Sequence, residues 1–393
     1  MYSKLSDFDF TDKRVLVRVD FNVPIKNFQI TDDSRIRKAL PTIKYIIKKK
    51  PKQIILCSHL GRPKGEYTPE FSLKPVADRV QELLGLKIFF DNNPHIMNIS
   101  EFSDNKIVVL ENLRFDKFEK ENDEDFAKKL ASFADVFVLD AFGTAHRSHA
   151  SVVGVQKILP SCAGLLLEKE IKFLSEEMNN PKKPFVAIIS GAKSDKINVL
   201  NTLLNKVDTL IIGGVLANTF LKAKGKDIGL SKYDPDSIEY AKQVLQKYKD
   251  KIALPVDFVM GTEFSSSTKT RIAGLDEDLT GWMIMDIGPY TISGYKKILD
   301  KAKTVVFAGP VGVYEFDNFS RGTWDIANYI SELKATTIIG GGDTGDAINK
   351  FNLTDKMTHV STGGGASLEL LADHNLPGID ALEENYNNFK RNQ

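Results

Sequence analysis

An aspartate set directly behind three glycines is the feature of this chain that most plainly promises chemistry. The stretch Thr337-Ile338-Ile339-Gly340-Gly341-Gly342-Asp343-Thr344-Gly345-Asp346 reads as the end of a buried strand, then a backbone with no room for Cβ atoms. Asp343 and Thr344 then open a helix. A helix start presents unpaired N–H groups and the positive end of a dipole, which suits a phosphate. A carboxylate there repels the phosphate unless a cation stands between them, so Asp343 is expected to hold Mg²⁺. The plainer alternative is a tight glycine turn with Asp343 as a helix cap.

The partner for such a phosphate site is suggested by arginine. Eight of the 11 arginines precede residue 166, where 26 basic residues face 22 acidic ones; the remainder carries 27 against 30. Arginine grips carboxylates and phosphates in bidentate fashion, so an anionic ligand is expected in the first half. The candidates fall in short segments: Asp20 and Asn22, then Arg35, then His59 and Arg62, then Arg114, then Arg147 in Asp140–His149. Singly, each has a modest explanation. Asp20 ends a strand, Asn22 is turn chemistry, the histidines are core residues, and a lone arginine is a surface ion pair. Together they describe a basic pocket for a small, doubly anionic molecule.

The second half offers a different inventory. Lys193 and Lys196, in Ser190-Gly191-Ala192-Lys193-Ser194-Asp195-Lys196, are point charges suited to phosphates. Gly213 and Gly214 let a purine or phosphate approach the backbone. Ala308–Glu315 contributes Gly312 and a glutamate, Glu315, able to accept hydrogen bonds from ribose. Ser361–Ser367 contributes Gly364 and Gly365, a nest of N–H donors.

These segments need strands to aim them. Apolar, β-branched runs occur at Arg14–Asp20, Gln53–Ser58, Lys106–Leu110 and Val136–Leu139. A second series runs Phe185–Ile189, Thr209–Ile212, Lys251–Leu254, Thr304–Phe307, Thr336–Ile339 and Thr358–Ser361. Helical patterns such as Ile36–Lys49, Leu73–Leu84, Phe126–Phe133 and Ser237–Lys247 lie between them. The alternation predicts parallel sheets with helices on both faces, and the uninterrupted apolar runs agree. Ligands in such sheets bind beyond the carboxyl ends of the strands, where every candidate segment lies. The helical pattern Leu165–Met178, closed by Asn179-Asn180-Pro181, marks the division between two domains.

The totals set limits. At 393 residues and a net charge of +1, the chain is long enough for two or three domains and gives no support to nucleic-acid binding. No apolar run approaches a membrane span, and no secretory h-region is evident at the start. Two cysteines make no disulfide framework, so a reducing cytoplasm is expected. Neither a GxxxxGK[ST] loop nor an early GxGxxG is present, which weakens an ordinary P-loop reading and, with no glycine fingerprint after the first strand, an NAD-dependent dehydrogenase on a similar scaffold.

In this order the segments resemble the phosphoglycerate kinase family over nearly the whole chain. The motifs are RVDFNVP at 18–24, SHLGRP at 58–63, ENLRF at 111–115, DAFGTAHRSHAS at 140–151, GPVGVYE at 309–315, GGGDT at 340–344 and STGGGASLELL at 361–371. The resemblance implies an α/β fold of two Rossmann-like three-layer domains with parallel sheets, joined by a long connector helix at about 165–178. Residues 1–166 and 376–393 would bind phosphoglycerate, and 167–375 the nucleotide. The implied reaction is 1,3-bisphosphoglycerate + ADP ⇌ 3-phosphoglycerate + ATP, with Mg²⁺, by a cytoplasmic monomer acting on neither nucleic acid nor membrane.

By the same resemblance Asp20, Asn22, Arg35, His59, Arg62, Arg114 and Arg147 hold the phosphoglycerate. Lys193, Lys196, Gly213, Gly214, Gly312, Glu315, Gly342, Asp343 and Thr344 face the nucleotide, with Asp343 on the metal. Arg35, Lys193, Gly364 and Gly365 attend the phosphoryl in flight. The acceptor is a carboxylate, already an anion, so positioning and charge stabilisation replace a general base. Three departures from the family pattern touch the nucleotide half: Phe307-Ala308 before Gly-Pro, a lysine loop shorter by one residue, and Val215 after the glycine pair. Ala308 and the shortened loop leave open a homologue that binds these ligands as a sensor or scaffold without turning them over.

Overall fold

A computed structural model describes residues 1–98, 106–191 and 196–390. The chain divides into two compact units, Met1–Lys172 with Asn375–Gln393, and Phe173–His374.

The first unit is built on β1 (Arg14–Val19), a side hairpin of β2 (Ile25–Lys26) and β3 (Gln29–Ile30), then β4 (Gln53–Cys57), β5 (Phe89–Asp91), β6 (Ile107–Leu110), β7 (Val136–Asp140) and β8 (Ser161–Ala163). Six of these form one parallel sheet in the order β5-β6-β4-β1-β7-β8. Every residue of β4, β6 and β7 is buried, because helices cover both faces. Val15 and Val17 of β1, Ile54 and Leu56 of β4, and Ile36, Ile43 and Ile46 of the helix Ser34–Lys48 share one core. The strand order reverses at β1, so the loops after β1, β4 and β7 open into the crevice where doubly wound sheets bind ligands.

The second unit carries β9 (Phe185–Ser190), β10 (Thr209–Gly213), β11 (Ile252–Ala253), β12 (Asp257–Gly261), β13 (Thr270–Gly274), β14 (Met283–Ile287), β15 (Thr304–Ala308), β16 (Thr336–Gly340) and β17 (His359–Val360). Its parallel sheet runs β11-β10-β9-β15-β16-β17, the order of the dinucleotide-binding fold, with the reversal between β9 and β15. Each strand expected from the sequence is present, with ends displaced by at most one residue.

Beyond expectation are β5, β8, the hairpin, and an antiparallel sheet β13-β12-β14. That sheet buries one face over Phe258, Met260 and Ala273 while Thr270 and Ile272 stay exposed on β13. The expected helix Leu165–Met178 is continuous in path but not in type. It runs as α-helix over Leu165–Ile171, widens to a π turn over Lys172–Glu176, and returns to α-helix over Glu177–Asn179. The division between units falls at the start of that turn.

The helix Pro377–Lys390 belongs to the first unit. Asn385 accepts a hydrogen bond from Ser161 N (2.9 Å) and donates to Gln156 O (2.6 Å), while Gln156 donates to Gly378 O at 3.0 Å. Cys57 and Cys162 are free and buried, and burial pushes the Cys57 thiol up to about 12. No helix among the described residues is long and apolar enough to cross a membrane.

Candidate functional site

In the first unit the loops beyond β1 and β4 and the start of the helix Ser34–Lys48 are laced together by polar contacts. Asp20, just past β1, accepts from Asn22 N (3.2 Å) and forms an ion pair with Arg35 at 2.6 Å. Asn22 Oδ1 accepts from Gly61 N at 2.9 Å, and Gly61 O accepts from Arg114 Nη1 at 2.8 Å. Asn112 fastens the next loop by accepting from Leu60 N and Arg114 N and donating to Leu60 O. Ser58 Oγ accepts from Phe21 N at 2.9 Å. Asp20, Asn22, Arg35, His59 and Arg114 are thus gathered on one rim, with Arg147 close enough to bear on the charge of His59 and Arg114. Arg62 follows Gly61 on the same loop, exposed and with no hydrogen bond or ion pair among the described residues.

Cations outnumber anions on this rim, with Asp20 and the buried Glu119 offsetting only part of the charge of the arginines. Burial, then Arg18, Arg114, Arg147 and Arg35, hold His59 well below the usual histidine range. His146 falls to about 4 and His149 to about 3, by burial first and neighbouring arginines second. Burial, then Arg147 and Arg18, lowers Arg114 to about 10. Arg114 is 3% exposed, and its Nε and Nη2 are buried without a partner. Buried N–H groups normally find acceptors, and none among the described residues reaches these two.

The second unit ties its strand-end loops in a similar way. Ser190 Oγ donates to Pro310 O, and Gly191 O accepts from Leu216 N at 3.0 Å. Gly214 adopts φ +58°, and a Cβ there would come within 2.7 Å of Ser190 Oγ. Gly213, buried at the end of β10, precedes the helix Gly214–Ala223, which also carries Val215. Thr344 Oγ1 accepts from Gly309 N at 2.6 Å, joining the β15 and β16 loops. Gly341 N donates to Ser367 Oγ (3.0 Å), which donates to Gly364 O (2.7 Å), joining the β17 loop.

Two expectations for this half need correction. The helix after β16 begins at Gly342, one residue ahead of Asp343. The glycines there are not all packed against neighbours. A Cβ on Gly340 would meet Leu371 at 3.2 Å, whereas Gly342 has nothing within 4 Å. Open space stands where crowding was expected. Gly341 adopts φ +85°, which accounts for glycine at that one position.

Gly312 has a packing role, since a Cβ would fall 2.1 Å from buried Asp286 Oδ1. Asp343 and Glu315 are exposed, with no hydrogen bond or ion pair among the described residues. Lys193 lies outside the described residues, and Lys196 begins the helix Lys196–Lys206. No group of three or more His, Cys, Asp or Glu among the described residues is arranged to hold a metal by itself.

Residues 5–374 match the family model described as phosphoglycerate kinase. The chain is 51% identical to the phosphoglycerate kinase of Clostridium novyi (strain NT), across 97% of this chain and 98% of that one. It is 50% identical to that of Thermosipho africanus (strain TCF52B), across 96% and 97%. Among solved structures, phosphoglycerate kinase from Coxiella burnetii superposes with a TM-score of 0.87 at 42% identity, covering 98% of this chain and 99% of that one. The chain belongs to the phosphoglycerate kinase family.

As a phosphoglycerate kinase family member, the chain is a glycolytic phosphotransferase that uses ATP and ADP. Sequence reasoning did not nominate Arg18, Ser151 and Glu119, all buried behind the rim. The available signal was a charged residue inside RVLVRV, a strand otherwise expected to be buried on both faces.

Proposed function

We propose that the first unit takes the phosphoglycerate on Asp20, Asn22, Arg35, His59, Arg62, Arg114 and Arg147. The second takes the nucleotide on Lys193, Lys196, Gly213, Gly214, Gly312, Glu315, Gly342, Asp343 and Thr344. The observation that carries this reading is Arg114, a buried guanidinium with two unpartnered nitrogens among other cations. A dianionic phosphate supplies both the acceptors and the charge that this cluster lacks.

In the direction of ATP consumption the carboxylate of 3-phosphoglycerate is the nucleophile. Its oxygen forms a bond to the γ-phosphorus as the bond from that phosphorus to the β–γ bridging oxygen breaks, and no proton needs to move. Arg35, held by Asp20 at 2.6 Å, and Lys193 draw charge from the migrating group, with the amides of Gly364 and Gly365. Asp343, exposed and unpaired in the first turn of its helix, fits a Mg²⁺ that takes its other ligands from phosphate and water. The ion, when bound, would neutralise charge on the terminal phosphates. A cytoplasmic monomer suffices for such small ligands, with no part for nucleic acid or membrane.

A coupled assay with 3-phosphoglycerate and ATP separates the roles. Arg35→Ala should lower kcat by about 10²–10³, as for other preorganised donors. Arg114→Ala should instead raise KM for 3-phosphoglycerate and leave KM for ATP unchanged. An Arg114→Ala enzyme impaired toward ATP alone would overturn the assignment.

A further inference from the structure

Behind the rim, a second arginine faces His59 from the core. Arg18, in β1, is 0% exposed. Its Nη2 lies 3.2 Å from His59 Nδ1, its Nε donates to Ser151 Oγ at 2.8 Å, and its Nη1 donates to Val19 O and, at 3.4 Å, to Ser58 Oγ. Ser151 Oγ donates onward to Glu119 Oε1 at 2.6 Å, and Ser151 N donates to Glu119 Oε2 at 2.9 Å. Glu119 is wholly buried and is linked to Arg18 through that one hydroxyl, and burial raises its carboxyl above the usual range.

A guanidinium has N–H groups and no acceptor. The contact with Nδ1 is therefore a hydrogen bond only if that nitrogen offers its lone pair. An uncharged imidazole with Nδ1 as acceptor carries its proton on Nε2. Nε2 meets no partner among the described residues. A protonated ring would set N–H against N–H, with Arg114, Arg147 and Arg35 adding to the repulsion.

We propose that Arg18 is a positioning residue that fixes His59 as its Nε2–H tautomer, so that the ring donates to the phosphate of the arriving phosphoglycerate. The opposite tautomer would turn a lone pair toward phosphate oxygens and repel them. The inference rests on the reading of His59 as a phosphate contact given above. Lysine would serve poorly at position 18, because the planar fork reaches His59, Ser151 and Val19 at once.

Nitrogen-15 NMR of the full chain, labelled at histidine, reads the tautomer directly. Native His59 should show one pyridine-like Nδ1 and one protonated Nε2 without ligand; an Nδ1–H ring or an imidazolium overturns the proposal. Arg18→Met/Glu119→Gln removes the donor together with the buried carboxyl group linked to it through Ser151. It should show an Nδ1–H fraction and a KM for 3-phosphoglycerate raised about 10–100-fold, the range for losing the partner that orients a functional imidazole. The KM for ATP should not move. Retention of a pure Nε2–H ring in that variant also overturns the proposal. Saturating 3-phosphoglycerate should shift native Nε2. A correct tautomer whose Nε2 ignores the ligand overturns the donor role through the phosphate reading, a failure distinguishable from the other two.

Discussion

Arg114 holds a charge that the free protein does not favour. Burial and the neighbouring Arg147 and Arg18 bring it down to about 10, and two of its nitrogens lack acceptors. Because its affinity for a proton is lower in the fold than in the open chain, the cation at neutral pH opposes folding. Arg114→Met should therefore stabilise the unliganded protein by about 1 kcal/mol, roughly 2–4 °C, while weakening 3-phosphoglycerate binding. A melting temperature that drops in the variant would mean the charge is compensated after all. The arginines and His59 were legible in the sequence because their loops follow apolar runs. The purpose of Arg18 was not, since it depends on Glu119 and Ser151, far along the chain and brought in only by folding.

Among the elements, β7 and the helix Leu165–Ile171 are fastened by one carboxylate. Asp140 Oδ1 accepts from Leu166 N and Leu167 N, and burial raises Asp140 to about 7. Its folded value lies above the ordinary 3.8, so the folded state holds the proton more tightly. Stability from this group is fully present at pH values below about 4 and is lost as pH climbs toward 7. Asp140→Asn keeps the amide oxygen as acceptor without ionising. Urea midpoints of variant and native protein should diverge in the variant's favour from pH 4 to 7 and then run parallel. A gap that closes over that interval contradicts the assignment. The parallel strands were readable because both faces are buried, which leaves unbroken apolar runs. The sheet β13-β12-β14 was not, because β13 mixes exposed Thr270 and Ile272 with buried Ala273. The open space at Gly342 was misread because a missing side chain looks the same whether a neighbour or a ligand needs the room.

At the scale of the whole molecule, the proposed ligands belong to separate units, so transfer requires the two to be brought together with water excluded. Small-angle scattering should show a smaller radius of gyration with 3-phosphoglycerate and nucleotide together than with either alone; equal values in every state would refute this. The two units divide at the start of the π turn Lys172–Glu176, within the connector helix that ends at Asn179-Asn180-Pro181. The helix Pro377–Lys390 has a different consequence, one of timing. A ribosome delivers the chain from its N-terminus at roughly 5–20 residues per second. Phe173–His374 is one unbroken stretch, whereas Gln156 and Ser161 wait for Gly378 and Asn385. The half of the enzyme that is started first is therefore the half that is finished last: its six strands are made by residue 163, yet the helix that packs against β8 follows only after the whole second unit.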